Sequence, residues 1–102
     1  MQVKIMIIEW LRFQVKPELR EAFIEKDHEI WAARADKIYG YLGKEVWIDP
    51  ETLDVIIVIR WESIETWKSF PKAEIDELDK LMGVLATPVC ESHSYQVRKF
   101  LN

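Results

Sequence analysis

A chain of 102 residues, 49% apolar and 31% charged, has the size and composition of one globular domain and lacks the polar bias of a disordered chain. Its formal net charge is −4, with lysines and arginines scattered along the chain, which argues against nucleic acid and against an anionic membrane surface as partners. The stretch Ile5-Met6-Ile7-Ile8 is too short for the apolar core of a secretory leader, so a cytoplasmic location is expected.

Residues 3–15, rich in β-branched side chains, read as a first strand, and Pro17 ends it at a first helical turn. A helix is expected over 17–38, with Glu18 in its first turn and Gly40 beyond its end. A second strand over 41–48 leads through the turn Asp49-Pro50-Glu51-Thr52 to a third over 55–61, so the pair reads as a hairpin. Ser63 is an N-cap for a short helix carrying Ile64 and Trp67. Pro71 breaks that helix or restarts it as a segment to about residue 82, with Gly83 as C-cap. A loop with Pro88 precedes a last strand over 92–101. The order β-α-β-β-α-β, spanning 1–102 as a single domain, predicts a ferredoxin-like α+β fold: a four-stranded antiparallel sheet, strands one and three central, with two helices on one face.

The two central strands are apolar on both faces, as Ile5-Met6-Ile7-Ile8 and Val55-Ile56-Ile57-Val58-Ile59 show, while the last strand carries Ser92, Ser94, Gln96 and Arg98 on one face. Helices on one side need only one apolar face, and no chain remains to cover the other. A homodimer packing sheet on sheet is therefore expected; the alternative is a greasy patch left open at the sheet centre.

The segments Glu9-Trp10-Leu11…Phe13…Pro17-Glu18-Leu19-Arg20-Glu21-Ala22-Phe23, Tyr41-Leu42-Gly43-Lys44-Glu45-Val46-Trp47 and Val58-Ile59-Arg60-Trp61-Glu62-Ser63…Trp67 resemble the dimeric α/β-barrel superfamily. Within it the chain is similar to antibiotic biosynthesis monooxygenase-like domains, and more closely to a small family of cyanobacterial proteins. The resemblance covers nearly the whole chain. It implies a dimer with facing sheets and a pocket in each subunit between helices and sheet. The superfamily includes cofactor-independent quinone-forming monooxygenases, haem-degrading enzymes and muconolactone isomerases, so fold analogy alone does not select a chemistry. Haem-handling relatives use a histidine on the second helix, and residues 63–83 contain none.

Candidate site residues come from breaks in the apolar pattern. On the first helix Leu19, Phe23, Ile30, Trp31 and Ile38 define a stripe that contains Asp27 and Arg34. On strand one, Glu9 shares a face with Ile7 and Leu11. Charges placed on such rows must be paired or hydrogen-bonded. Asp27, and more weakly Glu9, are therefore candidate general bases in a polar pocket, with Arg34 beside them. The competing arrangement is a structural ion pair, Arg34 reaching back to Asp27, or Arg34 turning out of the helix end. His28 lies at the edge of the stripe and His93 opens the last strand, both weaker candidates. Cys90 is the one cysteine, so there is no internal disulfide, and no Cys/His cluster has zinc-site spacing; no metal or cofactor is expected.

Five tryptophans complete the picture. In the expected topology Trp31, Trp61 and Trp67 gather at one end, near Asp27 and Arg34, as a pocket wall with His28 at its margin, and Trp10 and Trp47 serve as core or dimer staples. Three functions fit: a cofactor-independent, monooxygenase-like enzyme acting on an apolar or aromatic small molecule; a non-catalytic or stress-related module that binds one; and a structural accessory dimer.

Overall fold

Four strands, β1 (Ile7–Phe13), β2 (Tyr41–Ile48), β3 (Val55–Trp61) and β4 (Val89–Gln96), form one sheet in the order β2-β3-β1-β4 in the computed structural model, which describes residues 5–99. Every neighbouring pair is antiparallel. Helix α1 (Arg20–Ala32) follows β1, and α2 (Ile64–Ser69) and α3 (Lys72–Leu81) together follow β3. This is the ferredoxin-like α+β arrangement.

Strand alternation sorts β3 into two sets. Val55, Ile57, Ile59 and Trp61 join Ile7, Phe13 and Phe23 in the core between sheet and helices, flanked by Ile24, Trp67, Phe70 and Met82. Ile56 and Val58 point the other way, yet are only 7% and 1% exposed. Register explains it: Val58 lies between Trp10 and Glu45, and Ile56 between Arg12 and Trp47, so long side chains of the flanking strands lie over it.

The first connection differs from the single helix expected over 17–38. Pro17–Leu19 forms a 3-10 turn, α1 stops at Ala32, and Ala35–Lys37 forms a second 3-10 turn. Ala32-Ala33-Arg34-Ala35 favours continued helix by propensity. Tertiary packing overrides it, because the chain must reverse there to deliver Ile38 to the core and Tyr41 to β2. Gly40, at φ 79°, makes the last corner; its carbonyl accepts from the Glu62 N–H at 2.8 Å, which ties the entrance of β2 to the exit of β3.

Pro71 does break the second helical region. Ser63 caps α2 through a reciprocal box in which its hydroxyl accepts from the Thr66 N–H and Thr66 accepts from the Ser63 N–H, each at 3.2 Å. Strand β4 begins at Val89, directly after Pro88 and earlier than expected, because Val89 pairs with Phe13 across a register shift that skips Cys90. Residues 3 and 4 of the first expected strand and 100 and 101 of the last lie outside the described residues. All of β4 is exposed, and its serines lie on the helix side: Ser92 pairs with Leu11 and Ser94 with Glu9. The helices thus stop short of this edge. Among the described residues, no helix is long and apolar enough to cross a membrane.

Candidate active site

One cross-strand row organises the helix-covered face. Glu9 on β1 and Lys44 on β2 both pair in register with Ile59 of the strand between them. Adjacent strands lie about 4.8 Å apart, so an acid and an amine flank one isoleucine across about 10 Å. Lys44 reaches this face through a bulge: Tyr41 pairs with Trp61, but Gly43 already pairs with Arg60 and Lys44 with Ile59. The extra residue, with Gly43 at φ 138°, turns both Tyr41 and Lys44 toward the helices, which strict alternation forbids.

Helices supply the roof. Asp27, buried on α1, takes the Lys44 ammonium at 2.5 Å. The same ammonium lies 4.5 Å from the Trp31 ring centroid, one turn further along α1. Four rings close one end in a cycle: Trp31 to Tyr41 at 5.5 Å, Tyr41 to Trp61 at 5.9 Å, Trp61 to Phe70 at 5.7 Å and Phe70 back to Trp31 at 5.9 Å. Trp67, Ile75, Thr87 and Pro88 also line the space. All of these but Tyr41, which backs Trp31 and Trp61, line a partly open cavity of about 270 Å³. A cavity of about 150 Å³ holds benzene, so this one suits a compound of one or two rings.

Burial sets the electrostatics. Desolvation pushes the Glu9 carboxyl above its ordinary value, opposed by hydrogen bonds from Trp61 and Trp67 and by the charge of Lys44. The Trp61 indole N–H donates to Glu9 at 3.2 Å. Desolvation also lowers the Lys44 ammonium, opposed first by the charge of Asp27, then by its hydrogen bond and by Glu9. At the rim, burial and the neighbouring charge of Asp76 raise Asp79. The cavity therefore holds a carboxyl whose pKa is raised, an amine whose pKa is lowered, and an ion pair between that amine and Asp27 of α1. Among the described residues, no group of three His, Cys, Asp or Glu side chains is placed to hold a metal ion.

The structure brings Glu9, Asp27, Trp31, Trp61 and Trp67 to this one cavity and leaves His28 and Arg34 outside it. His28 is exposed on α1. Arg34 follows the helix end, and its guanidinium donates to the Ile30 carbonyl at 2.9 Å, satisfying a backbone group that the last turn leaves open. The partner of Asp27 is Lys44, not Arg34. Trp10 and Trp47 occupy the helix-free face, where Trp10 packs on His93 at 5.3 Å and Trp47 donates to Glu45 at 3.0 Å. Lys44 is the site residue that sequence reasoning missed. Its signal was available, since it shares the even-numbered row of Val46 and Ile48, as Glu9 shares the row of Ile7 and Leu11.

The chain matches no known family model and no curated protein sequence. It is similar to solved structures at low identity. One is a monooxygenase of Streptomyces coelicolor, from the gene ActVA-Orf6, in complex with nanaomycin D: TM-score 0.70, 13% identity, covering 98% of this chain and 92% of that one. Two others are provisionally assigned as antibiotic biosynthesis monooxygenases. The Bordetella bronchiseptica protein has TM-score 0.65 and 20% identity over 96% of this chain and 100% of its own. The Chloroflexus aurantiacus protein has TM-score 0.62 and 20% identity over 95% and 97%. The chain thus shares the ferredoxin-like fold of antibiotic biosynthesis monooxygenase-like proteins. The narrower resemblance to a cyanobacterial family is not among what these likenesses show.

Proposed function

We propose that this protein binds an aromatic compound of one or two rings in the cavity above Ile59 and oxidises it without a resident cofactor, with Glu9 as general base. The observation that carries this reading is a desolvated carboxyl, held by an indole N–H, inside an aromatic-walled cavity of matching size. A phenol entering the cavity would give its proton to the Glu9 carboxylate, and the electron-rich phenolate would itself supply the electrons to dioxygen. A carboxylate whose pKa is raised is a stronger base than one in water. The Asp27–Lys44 pair would hold the roof against the sheet. A monooxygenase of the same fold, seen with nanaomycin D, supports this class of reaction.

Oxygen uptake with a dihydroxynaphthalene tests it. Glu9→Gln should lower kcat by about 100-fold or more while quenching of tryptophan fluorescence by the compound persists, and His28→Ala should leave both unchanged. Full turnover in Glu9→Gln would refute the base assignment. Quenching without oxygen uptake by the native protein would favour the non-catalytic binding module.

The reading includes a homodimer through the helix-free sheet faces. Trp10, Trp47 and Tyr95, the last two 44% and 55% exposed, would supply the apolar contact, above Ile56 and Val58, which the flanking strands already cover. Charges ring this patch: Arg60 pairs with Glu45 at 3.1 Å, and Arg12 with Asp49 and Asp54 at 3.1 and 3.0 Å. An apolar centre with a polar rim is the anatomy of a protein interface. The exposed free thiol of Cys90 suits a reducing compartment, in keeping with a cytoplasmic site of action.

A further inference from the structure

Lys44 has a chemistry that the base mechanism leaves unused. Its ammonium carries three N–H bonds, Asp27 takes one, and the side chain, 9% exposed, lines the cavity. Among the described residues Lys44 is the lysine that lines the cavity; Lys68, for example, is exposed, its amine 4.3 Å from the Trp67 ring centroid. The charges of Lys44 and Asp27 cancel at 2.5 Å and Glu9 brings no positive charge, so no net positive charge remains in the cavity to hold an anion. A neutral ligand with a polar oxygen fits that balance better than a carboxylate or phosphate does. Trp31, Trp61 and Phe70, which line the cavity with the amine, supply a wall for a flat ring.

We propose that the cavity captures an aromatic aldehyde or ketone through a covalent imine with Lys44. This rests on the reading of the cavity as a ligand site. Asp27 accepts the proton that the ammonium must lose, and the free amine then attacks the carbonyl carbon and forms a C–N bond. The carbinolamine loses its oxygen as water, with the proton held by Asp27 returned to that oxygen, and a C=N bond remains. No electrons are transferred, so no oxidant or reductant is needed. Desolvation favours both the neutral amine and the loss of water, and the iminium form keeps the positive charge that Asp27 already faces.

The test treats the intact protein with vanillin and sodium cyanoborohydride at neutral pH, which reduces an imine to a stable secondary amine, followed by peptide mapping by mass spectrometry. The expected result is a single adduct on the peptide holding Lys44. Lys44→Arg, which keeps the ion pair but forms no imine, should lose it, and Lys68→Arg should retain it. Circular dichroism of Lys44→Arg checks that the fold survives. Adducts spread over exposed lysines and undiminished in Lys44→Arg would overturn the proposal. So would quenching of tryptophan fluorescence by vanillin with no Lys44 adduct, a result that would leave the ligand cavity standing; loss of both quenching and adduct would remove the two together.

Discussion

Glu9 and Lys44 are charged side chains in rows that are otherwise apolar, and they are tolerated for different reasons. Glu9 is less costly neutral than charged, since burial raises its pKa above the ordinary value of 4.5. Below about pH 4.5 the folded and unfolded states both carry the neutral acid, so this part of the stability is fully present. It is lost as pH rises through the folded pKa, where the native state must bury a carboxylate. Glu9→Gln, which can still accept from Trp61, should therefore be at least as stable as the native protein at pH 7, with the difference vanishing near pH 4. Thermal melts at both pH values check this, and a variant that loses stability as pH rises would contradict it. Lys44 is held by Asp27 instead. Lys44→Met should cost about 3–5 kcal/mol by stranding a buried carboxylate, most of it recovered in the double variant with Asp27→Asn, as measured by urea denaturation. Glu9 and Asp27 were legible in the sequence because each interrupts a clear period. Lys44 shares the legible row of Val46 and Ile48, but the bulge between Tyr41 and Gly43 puts Tyr41 on that face as well, which alternation counted from Tyr41 hides.

At the scale of elements, local signals located both β-hairpin strands and the break at Pro71, because turn chemistry and proline act on their own neighbours. The end of α1 was misjudged for the opposite reason: nothing local in Ala32-Ala33-Arg34-Ala35 stops a helix. With the helix ending at Ala32, Arg34 leaves the stripe that would have carried it to Asp27 and caps the helix by bonding to Ile30. Arg34→Ala should consequently cost only about 0.5–1 kcal/mol and leave the Asp27–Lys44 pair intact. A loss of several kcal/mol in chemical denaturation would place Arg34 in the ion-pair network. Gly40 is the more demanding position. A Cβ added there would meet the Thr66 side chain, 2.2 Å from its Cβ, at a backbone φ of 79°. Gly40→Ala should destabilise by about 2 kcal/mol or more, detectable as a lower urea midpoint.

For the whole molecule, the sequence period was enough to divide the sheet into a helix-covered face and an open one, and the five tryptophans follow that division. Trp31, Trp61 and Trp67 line the cavity, whereas Trp10 and Trp47 lie on the helix-free face. Sedimentation at micromolar concentration should find a dimer, and Tyr95→Lys, exposed on the open face, should make it monomeric; a native monomer would leave that face without its proposed partner. The account depends most on the cavity being a ligand site, and the tryptophans carry their own control. Titration of the protein with 2-naphthol, followed by NMR of the five indole N–H signals, should shift those of Trp31, Trp61 and Trp67 and leave Trp10 and Trp47 in place. Shifts at Trp10 and Trp47 alone, or at none of the five, would contradict it.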